Sequence, residues 1–271
     1  MNITIQDVRN RLERDGLSLA KKAVQTGKRI LKGVGPRQVI FVSGVQRSGT
    51  NMVTDVLARS FETDVFNENH PRSHHDFQLR EDDVIRELVA GSKARFVVFK
   101  VLCEAEQLGR LLDEFAPAKA IWCLRHYNDM VNSHLRLWSG CPATIGKIVE
   151  DPNSAGWRGR GMSAETRELV ARMHKPEMND ASAVALFWYF RNILFLEQGF
   201  DRDDRVLAMA YEDLVTGART EFRRLYDFVG LKYSPWVSKK VHARSIAKNA
   251  APDIEPRIKG LCDAMLARLR C

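Results

Sequence analysis

Five short apolar runs alternate with stretches of helical periodicity, and this alternation restricts the fold more than any other property of the chain. The runs are QVIFVSG at 38–44, DVFNE at 64–68, RFVVFKV at 95–101, KAIWCLR at 119–125 and RVLAMAYEDL at 205–214. Each is bounded by polar or turn residues, as strands are. Helical patterns fill 51–60, 79–90, 104–115 and 127–137. Apolar strands separated by helices predict a three-layer α/β/α fold, with a central, mostly parallel sheet of about five strands. Ligands of such folds sit at the carboxyl ends of the strands.

Around that unit the chain reads in segments. Residues 1–35 predict basic amphipathic helix, with Val8, Leu12, Ala20, Val24 and Leu31 set among Lys21, Lys22, Lys28, Arg29 and Lys32. Such a helix packs across the domain or a partner, or makes peripheral contact with a membrane surface. Residues 36–271 are expected to form a single α/β domain. Within it, 139–199 is a helical and loop excursion, a Gly-, Pro- and Ser-rich stretch followed by the aromatic helix NDASAVALFWYFRNILFLEQG. A last helix begins at Pro256, with Ile258, Leu261, Met265 and Leu269 on its apolar face. No run approaches the ~18 apolar residues of a spanning helix, and the first residues lack a signal-peptide core. Five cysteines without a C-x-x-C pair argue against a disulfide framework, and a cytoplasmic setting is the expectation.

Charge and motif then narrow the ligand. A net charge of +8 favours anions. One short basic tract, GWRGRG at 156–161, is too little for a nucleic-acid surface, and none is expected. The stretch after the first strand, GVQRSGTN, keeps the G-x-x-x-x-G frame of a phosphate loop from Gly44 to Gly49. Thr50 and Asn51 replace the lysine and the magnesium-binding hydroxyl of nucleoside triphosphatases. Amides from Gln46 to Thr50, at a helix amino end, suit an anion, with Arg47, Ser48, Thr50 and Asn51 adding side-chain donors. The fourth strand ends in Arg125, where a metal-holding carboxylate is usual. Both metal-linked positions are changed together, which points to a phosphate-containing donor handled without a divalent metal.

These residues resemble the PAPS-dependent sulfotransferases (PAPS is 3′-phosphoadenosine-5′-phosphosulfate), and the spacing is most similar to the tyrosylprotein and carbohydrate type. VQRSGTN looks like the family's 5′-phosphosulfate loop. LRHYNDMVNS, with Arg125 eight residues before Ser133, looks like its 3′-phosphate motif. YEDLV at 211–215, followed by a helix ending in FVGL, is similar to a downstream segment. The resemblance implies Glu68 as general base, with Lys100 and Arg47 stabilising the transferred group. It also implies a donor site of Arg47, Ser48, Gly49, Thr50, Asn51, Arg125, Ser133 and Tyr211, with Ser245 and Lys248 from a late basic segment. Two positions depart from the pattern: Asn51 stands where threonine is more frequent, and Glu68 sits in N-E-N.

The implied function is transfer of a sulfuryl group from PAPS to a hydroxyl-bearing acceptor, sugar, lipid, peptide or small molecule, leaving adenosine 3′,5′-bisphosphate (PAP). A P-loop kinase for a small hydroxyl substrate and a non-catalytic nucleotide-binding module are the alternatives. The cluster HPRSHHD at 70–76 has no zinc spacing, and its position after Glu68 suggests acceptor recognition.

Overall fold

The computed structural model describes residues 20–21, 23–27, 36–243 and 246–270. Its strands are β1 (Gln38–Gly44), β2 (Thr63–Phe66), β3 (His74–His75), β4 (Gln78–Leu79), β5 (Phe96–Lys100), β6 (Lys119–Leu124) and β7 (Val206–Ala210). All but β3 and β4 form one sheet in the order β2-β5-β1-β6-β7, and every neighbouring pair is parallel. From β1 the chain moves outward to β2, whereas from β5 it crosses to β6. The crevice between β1 and β6 is therefore the switch point, where such sheets take their ligands.

The sheet residues explain why both faces are covered. Val39, Phe41, Val97, Phe99, Ala120 and Trp122 join one core; the alternate residues Ile40, Val42, Phe96, Val98, Ile121 and Cys123 join the other. Period-two side chains buried on both sides are what a central parallel strand requires. Each fully buried aromatic or branched side chain contributes roughly 1.5–3 kcal/mol, so these strands supply much of what holds the two cores together. The helices are α1 (Thr50–Ala58), α2 (Asp82–Gly91), α3 (Leu108–Glu114), α4 (Tyr127–Leu135), α5 (Cys141–Glu150), α6 (Ala164–Met173), α7 (Asp180–Glu197), α8 (Tyr211–Thr216), α9 (Ala218–Val229) and α10 (Pro256–Leu269). Helix α7 has fourteen of its eighteen residues buried, so it is apolar all round and acts as a core post.

Several expectations are corrected here. The run RVLAMAYEDL is strand only to Ala210; Glu212 and Asp213 occupy the first turn of α8, where carboxylates favour a helix start. The excursion at 139–199 contains the additional helices α5 and α6. In α10 the inward residue is Cys262 in place of Leu261, beside Ile258, Met265 and Leu269. Residues 20–21 and 23–27 are helical, but the apolar side is not the one that docks: Val24 is 40% exposed, while Lys21 and Gln25 are buried. The Lys21 ammonium donates to Ala58 O at 2.8 Å and Thr63 Oγ1 at 3.3 Å. A cation at the carboxyl end of α1 meets unpaired carbonyls there. The rest of the segment 1–35 lies outside the described residues.

Candidate active site

The phosphate loop is built by backbone conformations that few residues adopt. Gly44 has φ 130°, and a Cβ there would lie 2.4 Å from Cys123 O, so β1 and β6 approach this closely only with glycine. Arg47 has φ 68°, an uncommon left-handed conformation for a residue with a Cβ. Its carbonyl accepts from Arg125 Nη1 at 3.0 Å, and its Nε donates to Ser133 Oγ at 3.0 Å. Residues expected to hold the two ends of one donor are thus in contact before any ligand arrives. Helix α1 starts at Gly49 with no side-chain cap and no acid in its first turn, leaving the opening amides free for an anion.

Ser48 is turned the other way. Its hydroxyl and its amide both donate to Val45 O, at 2.5 and 3.2 Å, and it is 1% exposed. It closes the loop, and its side chain is not presented as a donor to a ligand. Tyr211, at the start of α8, is half-buried and does two things. Its ring lies 2.6 Å from where a Cβ on Gly49 would be, and the Arg125 guanidinium carbon sits 4.4 Å from its centroid. Trp188 Nε1 donates to Arg125 O at 2.9 Å, so α7 braces the same arginine from below. Burial lowers the pKa of Arg125, and its charge is retained because a guanidinium stays protonated.

At the neighbouring strand ends, Lys100 of β5 is 2% exposed and forms an ion pair with Glu68, from the loop after β2. Its ammonium also donates to Asn51 Oδ1 at 2.5 Å. One buried cation therefore joins the loop of β1 to the carboxylate following β2. His74 of β3 holds the backbone at this point: its Nε2 lies 3.0 Å from Lys100 O and its Nδ1 2.9 Å from Ser73 Oγ. A carbonyl only accepts, so Nε2 carries the proton and Nδ1 accepts from the serine. Burial lowers the His74 pKa, which keeps the ring neutral. His75 and Asp76, from the same HPRSHHD cluster, are exposed on the β3–β4 turn, and His70 packs edge-on against Phe66. No group of three His, Cys, Asp or Glu side chains converges among the described residues.

A cavity of about 490 Å³ gathers these groups: Arg47, Gly49, Thr50, Asn51, Glu68, Lys100, Arg125, Ser133 and Tyr211 all line it. Of the remaining expected residues, Lys248 is exposed and lines no cavity described here, and Ser245 lies outside the described residues. Its neighbours are near, however. Ala247 N–H donates to Asp129 Oδ2 at 3.1 Å and Asn132 Nδ2 to Ala250 O at 3.0 Å, which lays 246–250 along α4 close to Ser133. The cavity also takes Phe77, Trp138 and Arg158, which the motifs did not single out one by one. Arg158 belongs to GWRGRG, and Phe77 and Trp138 are 62% and 43% exposed. Sequence alone does not show which apolar residues are exposed, and so could not bring these two to the cavity.

Fold and loop together define an α/β protein of P-loop type, with the glycine-framed loop at the sheet's switch point. Residues 37–250 match the family model described as Sulfotransferase domain. The chain belongs to this family, and it is a sulfotransferase. Among solved structures it is similar to a sulfotransferase domain from the curacin biosynthetic pathway. That pair shares 16% identity over 88% of this chain and 99% of the other, with a TM-score of 0.52. A sulfotransferase from Alicyclobacillus acidocaldarius aligns with 16% identity, 88% and 95% coverage and a TM-score of 0.51. At such identity these likenesses speak for the fold. No curated protein matches the chain in sequence.

Proposed function

We propose that this sulfotransferase uses PAPS as donor and moves its sulfuryl group to an acceptor hydroxyl, with Glu68 as general base. The observation that carries the reading is the contact chain Arg125–Arg47–Ser133, set beside the Glu68–Lys100 pair in one cavity. The free amides at the start of α1 suit a 5′-phosphate, and the close approach of Gly49 to Tyr211 leaves backbone, not side chain, at that wall. Arg125 and Ser133 suit a second phosphate, because a guanidinium makes two parallel bonds to one such group. Bound there, PAPS supplies the sulfuryl group: the acceptor oxygen–sulfur bond forms as the bond from sulfur to the bridging phosphate oxygen breaks, its electron pair leaving with PAP.

Each chain group then has one task. Glu68 takes the proton of the acceptor hydroxyl. Lys100 and Arg47 neutralise charge on the transferred and bridging oxygens, as fixed donors do when a site is dry. Asn51 holds Lys100 in position through its amide oxygen, and His74 fixes the Lys100 carbonyl. Hydroxyl acceptors enter on the side of Phe77, Trp138 and Arg158.

Thermal-shift titration tests the donor. Adenosine 3′,5′-bisphosphate is expected to raise Tm with no magnesium present, and a response confined to magnesium-ATP overturns the reading. Glu68→Gln is expected to keep bisphosphate affinity and lose roughly 10²- to 10⁴-fold in kcat with labelled PAPS. An unchanged kcat removes Glu68 from the role of base.

A further inference from the structure

Beside the donor cavity lies a second one, also about 490 Å³, and the two share Gln46, Trp138 and Arg158 as a common wall. Its inner side is apolar, formed by Ile145 of α5 and by Val184 and Phe187 of α7. His134 of α4 also lines it; burial pushes this imidazole down to about 4, so it is neutral at physiological pH. The outer side carries Lys147 and Arg158, both exposed, and no Asp or Glu lines the cavity. Some cations elsewhere on this surface are matched, Arg86 with Glu114, Arg110 with Asp82, Lys175 with Glu255 and Lys259 with Asp263, and others are not. Among the described residues neither Lys147 nor Arg158 has an ion-pair partner.

Nor is this wall loosely placed. Trp157, next to Arg158, is buried, and the carbonyls of Trp157 and Arg160 accept from Arg191 Nη1 of α7 at 3.1 and 3.3 Å. Gly161 has no room for a Cβ, which would lie 2.2 Å from the Cβ of Glu106. The segment that carries Arg158 is thus held at a fixed distance from the reactive pair.

We infer that the acceptor is an anionic amphiphile: a hydroxyl carried on an apolar body, with a carboxylate or similar anion at its far end. The hydroxyl meets Glu68, the apolar body passes Trp138 into the cleft between α5 and α7, and the anion meets Lys147. The inference rests on the sulfuryl-transfer reading and deepens it by naming the acceptor class. The apolar part of the wall, Ile145, Val184 and Phe187, favours an apolar body over a sugar at that side, while Ser139, Thr144 and Ser154 are among the residues that line the rest. The pair of unmatched cations gives an anion an advantage over its neutral analogue of about 1 kcal/mol or less, as for exposed pairs.

The test uses the full-length enzyme, labelled PAPS and short, medium and long ω-hydroxyalkanoates, with their methyl esters and glucose as comparators. The expected order is carboxylate over ester over glucose in kcat/KM, the first step up to roughly fivefold, with a dependence on chain length. Lys147→Glu, an exposed change, is expected to invert the preference so that esters outcompete carboxylates. Val184→Trp is expected to remove the dependence on chain length. Calorimetry of hydroxyalkanoate binding in the presence of adenosine 3′,5′-bisphosphate gives a readout apart from turnover, and the same order is expected. Bisphosphate binding together with glucose as the better acceptor, or with Lys147→Glu leaving the carboxylate preference intact, overturns this inference alone. Failure of the bisphosphate to bind overturns the donor reading beneath it.

Discussion

At the scale of single residues, the proposed roles separate by which measured quantity each side chain controls. Arg125 is held from three directions, by Arg47 O, by the Tyr211 ring and by Trp188 through its own carbonyl. Arg125→Ala is therefore expected to weaken adenosine 3′,5′-bisphosphate by roughly 10- to 150-fold, the range of one charge-assisted bond set. Adenosine 5′-phosphosulfate, which lacks the second phosphate, is expected to lose far less. Equal losses in a calorimetric titration of both nucleotides count against the assignment. Lys100 is buried between Glu68 and Asn51, at the strand end and not in the loop. Lys100→Ala is expected to lower kcat by roughly 10²- to 10³-fold with bisphosphate affinity little changed. A defect seen only in affinity removes Lys100 from the catalytic list.

At the scale of elements, the site depends on how closely strand, loop and helix approach. The loop between β1 and α1 is fitted against α8 by the absence of a side chain at Gly49, whose φ is 98°. Gly49→Ala meets both a positive φ and the Tyr211 ring. It is expected to cost about 1–3 kcal/mol of stability and to displace the ring on which Arg125 rests. Urea unfolding together with bisphosphate titration checks both; a neutral Gly49→Ala leaves the close approach without consequence. The strand runs were legible in sequence because nearly every position of β1, β5 and β6 is buried and the apolar pattern there is continuous. The β3–β4 hairpin was not, since two-residue strands carry no period. The helix at 211–216 was read as strand because an apolar run does not mark where its hydrogen bonding changes hands.

At the scale of the whole molecule, a buried ionisable group joins the segment after β5 to the β3–β4 hairpin. Burial pushes the carboxyl of Glu104 up to about 7, against the opposing effect of the bond it accepts from Leu79 N–H. Folding thus favours its protonated form. That contribution to stability is present below the ordinary carboxyl range and is lost as the pH rises through about 7, a change of roughly 3 kcal/mol. Glu104→Gln keeps an oxygen for Leu79 and removes the titration. The variant is expected to gain stability relative to the parent between pH 5 and pH 8, by about that amount, in urea melts. A constant difference across this range refutes the claim. Buried His74 and His134 and half-buried His126, whose pKa values are lowered, act in the opposite sense below about pH 6.5, so the difference between the two proteins, not either curve alone, isolates Glu104.

Arg47, Glu68, Lys100, Arg125 and Ser133 came as an ordered set from the family resemblance; what the sequence determined by itself was the sheet, its parallel sense and the glycine-framed loop after β1. Those features follow from local pattern and chain order, because burial on both faces and glycine-bearing turns leave marks in consecutive residues. Tertiary structure alone decided that Ser48 faces inward, that His74 holds the carbonyl of Lys100, that Lys21 and not Val24 docks on α1, and that Trp138 and Arg158 join two cavities. The physical reason is that each of these depends on distances between segments far apart in the chain, and the periodicity of one segment does not encode its distance from another.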